Sequence, residues 1–360
     1  MQQTAAILIS RQGLQPCQST PWVVQSQKAV QWIKNNALHL ITSIGQQTWE
    51  MLVFLAQQQE VEQTIVIPSV DRKDFENQQQ IIIDQFCLKP DHISFKGIFS
   101  KNTKQILYQR DQTIITDSHL LIPISTRKKG HMETLIAKKP THCIIKDFQI
   151  DYTPRKTPIS YQIDTHQLSQ KLSQLSSQYL IHWTRSHNRH WPTEKKFHYY
   201  QAITQSTVYP RKAMASLENI LSLGQIKASA RHMPLKIPTV SFSGLPPNKA
   251  VSLMQWRPRY CEMSFEPYGI GVEKNDGLSM GIQPVHYYSE NQRPADIAPW
   301  LCQSMGKRAT WKKENEYRFL GDFDLSHVPK SKLICFCYAE KEAAVIEQKY
   351  GVKSVAMLQG

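Results

Sequence analysis

The first residues with chemistry to offer lie at a strand-to-helix turn. The apolar run Leu38–Ser43 passes through Ile44-Gly45 into the helical spacing of Trp49, Leu52, Val53 and Ala56. A glycine turn ahead of a helix gathers backbone N–H groups and the positive end of the helix dipole at one point, which suits a phosphate. Many such turns bind nothing, so a second element matters. Gln109-Arg110-Asp111 precedes another apolar run. Ser125-Thr126-Arg127-Lys128-Lys129-Gly130 then leads into His131-Met132-Glu133-Thr134-Leu135, so that small hydroxyls, three cations and a glycine stand before a helix start.

Three further features lie in the second half. His182 and Thr184 are two apart on the run beginning at Tyr179, so they share one strand face. Ser241-Phe242-Ser243 and then Glu266-Pro267-Tyr268-Gly269 follow. Last comes Trp311-Lys312-Lys313-Glu314-Asn315-Glu316-Tyr317-Arg318, whose two glutamates again share a face. Singly each has an ordinary reading: a satisfied histidine, a turn, solvated charge pairs with Lys312 and Lys313. His182, His187, His190 and His198 have no partner at zinc spacing, and Cys335-x-Cys337 is strand alternation, so no metal is expected. Neither a phosphate-binding Gly-x-x-x-x-Gly-Lys-Ser/Thr loop nor a Gly-x-Ser-x-Gly nucleophile turn occurs. The segment His187–Tyr200 mixes rings with cations, a combination that suits single-stranded nucleic acid as well as a basic loop packed on a core.

These residues need elements to position them. Residues 1–150 alternate strand candidates (Ala5–Ser10, Leu38–Ser43, Thr64–Pro68, His92–Phe95, Ser118–Ile124, His142–Lys146) with helices over Trp49–Gln59 and Phe75–Cys87. That alternation predicts βαβ units, a mainly parallel sheet, and a ligand beyond the carboxyl ends of its strands. The Pro-containing stretch Asp151–Ser160 reads as a linker, and Thr165–Gln178 as an amphipathic helix with Leu168, Leu172 and Leu175 on one stripe. Short β runs and the helix Ala213–Leu223 then predict a separate α+β domain. The expected division is a nucleotide-binding domain over 1–150, a linker and helix over 151–178, and a second domain over 179–360.

The 360 residues suit two domains, and 41% apolar with 20% charged residues argues against general disorder. No run is long and apolar enough for a membrane helix, and the start lacks a basic segment ahead of its short apolar stretch. Seven cysteines make no even disulfide framework, so reduced thiols and a cytoplasmic location are expected. The net charge is +14, of which +10 falls in 151–360, a field that attracts nucleotides, RNA or DNA.

The first 150 residues resemble the SLOG superfamily, the Rossmann-like domains of the DNA-processing-protein-A and LOG groups, through Gly45, Arg110 and the run Arg127–Thr134. The loop carries Gly130 where that family has two glycines. The resemblance therefore implies nucleotide or nucleic-acid binding rather than phosphoribohydrolase activity, with Gly45, Arg110 and Gly130 at the ligand.

Residues 179–340 resemble the ADP-ribosyltransferase fold of the His-Tyr-Glu type. A strand with His182-x-Thr184 is followed by Leu217-Glu218-Asn219-Ile220-Leu221-Ser222-Leu223-Gly224, after the insertion Arg185–Arg211. DarT-like DNA ADP-ribosyltransferases open comparably. The pieces IPTVSFSGLPP, EPYGIGVEK, GIQPVHYY and WKKENEYR are similar to AbiGi-type abortive-infection proteins. The resemblance implies NAD as substrate. His182 would bond the adenosine-side ribose, with Thr184 and Ser243 in support. Tyr268, with Tyr260 as competitor, would stack on nicotinamide. Glu316 would stabilise the oxocarbenium-like centre, Glu314 would orient the acceptor, and Arg185 or Arg318 would pair with the diphosphate. The implied protein is a prokaryotic defence effector that transfers ADP-ribose or hydrolyses NAD under control of its first domain, with a homo-oligomer as the expected assembly. The alternative is a non-catalytic single-stranded nucleic-acid binder or antitoxin-like regulator.

Overall fold

The computed structural model describes residues 2–153, 163, 165–175, 178–231, 233–258, 260–289, 293–305 and 310–359. The chain divides into two compact units: Met1–Lys156 with Arg189–Pro210, and Thr157–Asn188 with Arg211–Gly360. No helix among the described residues is long and apolar enough to cross a membrane.

The first unit is a parallel sheet of β1 (Thr4–Ile9), β2 (His39–Ser43), β3 (Gln63–Ser69), β4 (Ile93–Phe99) and β5 (Leu120–Ser125), in the order β4-β3-β2-β1-β5. Helices α1 (Pro21–Asn35), α2 (Gln47–Gln58), α3 (Arg72–Phe86), α4 (Thr103–Asp117) and α5 (His131–Ile136) alternate with the strands. This is a Rossmann-like α/β architecture. After Thr4, β1 is buried throughout, as expected of a strand covered on both faces. Strand order reverses at β1, so the crevice of such a sheet opens beyond the carboxyl ends of β1 and β5.

Two helices escape the sequence pattern. On α1 the buried stripe Trp22, Ala29, Val30 and Ile33 is diluted by glutamines and lysines, and on α4 a buried arginine, Arg110, interrupts it. The strand expected over His142–Lys146 is instead a short 3-10 turn, Thr141–Cys143, with a single bridge from Ile144 to Leu121. The helix Lys196–Gln205, expected in the second domain, packs on α2 and α3. Tyr199, Tyr200 and Ile203 enter the first core, Lys196 pairs with Glu50 at 2.7 Å, and Lys195 with Asp84 at 2.8 Å. Both tyrosines are buried in this core and offer no open face, whereas Trp191 and Phe197 of the same segment are half-buried and His198 is exposed. Of the expected linker, residues 154–160 lie outside the described residues.

The second unit holds β6 (Tyr179–Trp183), β7 (Gln225–Ile226), β8 (Thr239–Ser243), β9 (Trp256–Arg257), β10 (Glu262–Met263), β11 (Gly269–Glu273), β12 (Gln283–Pro284), β13 (His286–Tyr288), β14 (Cys302–Ser304), β15 (Glu316–Leu320), β16 (Phe323–Asp324), β17 (Leu333–Cys337) and β18 (Ser354–Ala356). Seven form a mixed sheet in the order β12-β15-β8-β6-β11-β17-β18, antiparallel except for β17 with β18. Strands β6 and β8 share only the pair Ile181 with Ser243, so the sheet is nearly split there. Alternation covers both faces: Leu180, Ile270, Cys335 and Cys337 enter one core, while Ile181, Trp183, Ile334 and Phe336 enter another. Instead of one helix over Thr165–Gln178 there are two short pieces, Thr165–Gln167 and Lys171–Gln174, and residues 176–177 lie outside the described residues.

Candidate functional site

In the second unit three adjacent strands meet at one polar cluster. Strand β8 lies between β15 and β6, and its Ser241 touches both neighbours. The Nδ1 of His182 on β6 donates to the Ser241 carbonyl at 2.9 Å, and the Ser241 hydroxyl donates to Glu316 Oε1 on β15 at 2.8 Å. The carbonyl can only accept, so Nδ1 carries the proton. Burial lowers the His182 pKa, with a smaller push from Arg185, leaving Nε2 as a lone-pair acceptor.

Glu316 is held mainly by Arg318, two residues along the same strand face. Arg318 Nε donates to Oε1 at 2.7 Å and Nη2 to Oε2 at 2.9 Å, a bidentate pair that fixes the carboxylate plane. The rest of that guanidinium is also used. Nη1 donates to the Trp300 and Cys302 carbonyls at 2.9 and 3.3 Å, and Nη2 to Gln303 Oε1 at 2.7 Å. Five contacts match its five N–H groups, and the side chain is 2% exposed. Arg318 therefore has nothing left for a diphosphate. Arg185 does: among the described residues only its Nη1 is engaged, by Glu262 Oε1 at 3.3 Å and the Ser264 carbonyl at 3.5 Å. Arg231 reaches the other oxygen of Glu262 at 3.4 Å, so two partly exposed guanidiniums share one buried carboxylate.

Glu314 lies half-buried beside this pair. Burial first, and the Glu316 charge second, push its carboxyl up to about 7, while Arg318 and Arg257 pull the other way. Such a group carries both protonation states near neutrality, as a proton acceptor requires. Tyr287 accepts from the Glu316 backbone N–H at 3.1 Å, and burial pushes its own hydroxyl up to about 12.

Other expected site residues are placed elsewhere. Tyr268 is 3% exposed in the core, and its hydroxyl donates to Glu342 at 2.9 Å. That leaves no face for stacking. It precedes β11, on the side of β6 away from β8. Thr184 is buried and donates to the Ala213 and Tyr268 carbonyls, both at 3.1 Å. Ser243 is opposite Glu316 in register but spends its hydroxyl on the Glu314 carbonyl at 3.2 Å. Both are structural supports. Tyr260, the competitor for stacking, lies against the Arg257 guanidinium at 4.9 Å. Sequence reading missed Ser241, Tyr287 and Gln303. The Ser-x-Ser pattern marked the right strand, but only the register says which serine reaches the carboxylate.

The first unit gathers its own cluster at the carboxyl edge. Gly45 has φ +86°, a backbone state that favours glycine, and its N–H donates to Glu50 Oε1 at 3.3 Å. A protein carboxylate thus already occupies the turn that a phosphate was expected to fill. Arg110 is 1% exposed. Its Nε and Nη2 both bond Asp111 Oδ1, at 2.9 and 2.7 Å, and its guanidinium lies 5.5 Å from the Trp49 ring. His131, 53% exposed, bonds the other oxygen of Asp111 at 2.6 Å. Arg110 therefore positions Asp111 and His131 and does not itself face a ligand. At Gly130 a Cβ would meet the Arg127 carbonyl at 2.9 Å, so this glycine permits a tight loop. The accessible charges of the loop are Arg127, Lys128 and Lys129, and the buried Ser125 hydroxyl at the end of β5 has no hydrogen-bond partner among the described residues. Among the described residues no group of three or more His, Cys, Asp or Glu side chains converges as a metal site would.

No protein family matches the chain, and neither does any curated protein. Among solved structures it is similar to the molybdenum cofactor carrier protein from Chlamydomonas reinhardtii. That match has 12% identity and TM-score 0.26, and covers 39% of this chain and 74% of the other. A likeness this loose carries no argument about function. The Rossmann-like assignment of the first unit rests on its own parallel sheet.

Proposed function

We propose that the second unit binds NAD and breaks its nicotinamide–ribose bond, passing ADP-ribose to an acceptor or to water, and that a nucleotide on the first unit controls this activity. The observation that carries the reading is the order of the seven-stranded sheet. Numbered along the chain, its strands run 4-5-2-1-3-6-7, and the adjacent strands 5, 2 and 1 carry Glu316, Ser241 and His182. The resemblance to ADP-ribosyltransferases implies that His182 and Glu316 act on one substrate, and their link through Ser241 on the strand between them supports that.

His182 Nε2 accepts from a hydroxyl of the adenosine-side ribose. Arg185, with Arg231, holds the diphosphate through its open donors. Glu316 Oε2 accepts from the nicotinamide-ribose hydroxyl, and its charge stabilises the oxocarbenium-like centre as positive charge develops. The C1′–N bond breaks with its electron pair leaving on nicotinamide. The acceptor's oxygen or nitrogen then bonds C1′, and its proton passes to ionised Glu314.

The test is calorimetric titration of NAD into wild type, His182→Ala and Glu316→Gln, with assay of free nicotinamide. Binding weakened in His182→Ala, and release abolished in Glu316→Gln with binding kept, are expected. Release that survives Glu316→Gln would sink the catalytic assignment.

A further inference from the structure

Beyond Ser241 and Arg318, which lie on the seven-stranded sheet, the Glu316 backbone and the Arg318 guanidinium are gripped from one stretch of chain outside that sheet. Strands β13 and β14 pair with each other in a separate parallel ribbon. The residues before and within β13 grip the Glu316 backbone: its N–H donates to the Tyr287 hydroxyl at 3.1 Å, and its carbonyl accepts from Val285 N–H at 2.9 Å. The turn before β14 and β14 itself grip the Arg318 guanidinium through two carbonyls and Gln303 Oε1. Of the five acceptors around Arg318, two are backbone and two belong to Glu316. Gln303 Oε1 is the acceptor that a substitution removes while leaving Glu316 itself intact.

We propose that Gln303 and Tyr287 are positioning residues for the Glu316 carboxylate, so that the β13–β14 ribbon sets the turnover of the NAD reaction without touching NAD. The inference rests on Glu316 being the carboxylate at the reacting ribose. Removing one acceptor leaves a buried cationic N–H unpaired and frees the guanidinium to swing, taking the bidentate plane with it. Transition-state stabilisation falls steeply with misplacement of a preorganised charge, whereas ground-state binding through His182 and Arg185 is untouched.

The experiment measures kcat and KM for nicotinamide release, the calorimetric Kd for NAD and the thermal midpoint in wild type, Gln303→Leu, Gln303→Glu and Tyr287→Phe. Gln303→Leu is expected to lower kcat about tenfold to a hundredfold with the Kd for NAD unchanged. Gln303→Glu, which keeps an acceptor at that point, restores most of the rate. Tyr287→Phe lowers kcat by less, because Val285 still holds the Glu316 backbone. The inference is overturned if Gln303→Leu keeps the wild-type kcat, if Gln303→Glu falls as far as Gln303→Leu, or if kcat falls only in step with loss of NAD binding or folding. A wild type that neither binds NAD nor releases nicotinamide overturns the reading of Glu316 and the inference with it. That outcome is distinct from an active wild type with indifferent variants.

Discussion

Glu314→Gln isolates the electrostatics of the second unit. In the folded protein the Glu314 carboxyl is raised from 4.5 to about 7, first by burial and then by the charge on Glu316. A folded-state pKa above the unfolded value means the stabilising contribution is fully present below about pH 4.5 and is lost as pH rises through 7. At about 1.4 kcal/mol per tenfold change in proton affinity, ionising this side chain costs the folded state about 3 kcal/mol. Glutamine has the same shape and cannot ionise. Relative to wild type, Glu314→Gln therefore gains stability with pH, from little difference at pH 4.5 to about 3 kcal/mol above pH 8. Chemical denaturation followed by amide hydrogen exchange on β15 reads the second unit by itself. The catalytic proposal adds a second readout: wild-type transfer rises with pH through about 7 as Glu314 ionises, while the variant is slow and lacks that step. A stability difference that stays flat from pH 4.5 to 8.5 would refute the reasoning, since a carboxyl with an ordinary pKa gives no such slope in that window.

Ser241→Ala removes the hydroxyl on Glu316 Oε1. It is expected to cost about 1–2 kcal/mol of stability and about tenfold in kcat, read by denaturation and nicotinamide release. Tyr268→Phe breaks the bond to Glu342 and should cost about 1 kcal/mol in chemical denaturation; an unchanged stability would refute the structural role given to that hydroxyl. Arg110→Met strands the buried Asp111 carboxylate and should destabilise the first unit by about 3–5 kcal/mol, seen as loss of exchange protection in β1 and β5. Thiol labelling should modify exposed Cys87 in the native protein and reach Cys335 and Cys337 only on unfolding, because burial raises both of those thiols, Cys337 to about 12.

The sequence by itself determined the architecture, because buried parallel strands and the turns that follow them are local signals. The runs at Ala5–Ser10, Leu38–Ser43 and Thr64–Pro68 lie on β1, β2 and β3, and the βαβ alternation required a parallel sheet. His182 and Glu316 were legible as strand residues with chemistry to offer, whereas Glu314, expected on the same strand face as Glu316, ends a 3-10 turn over Thr310–Glu314 and is separated from β15 by Asn315 at φ +49°. Composition hid α1 and α4, whose buried faces are thinned by polar residues and by Arg110.

Tertiary structure alone decided which residues work together. Strand order put β8, not the segment of Tyr268, between the histidine and glutamate strands. Register gave Ser241 rather than Ser243 to the carboxylate. Arg185 and Arg318 look alike in sequence, yet one keeps open donors among the described residues while the other has its five N–H groups matched to Glu316 and to acceptors from β14 and its preceding turn. The helix Lys196–Gln205 joined the first core although its neighbours in sequence belong to the second unit. Each of these facts depends on which segments lie side by side. Local propensity does not encode that, because a side chain's partners are set by the packing of the whole sheet.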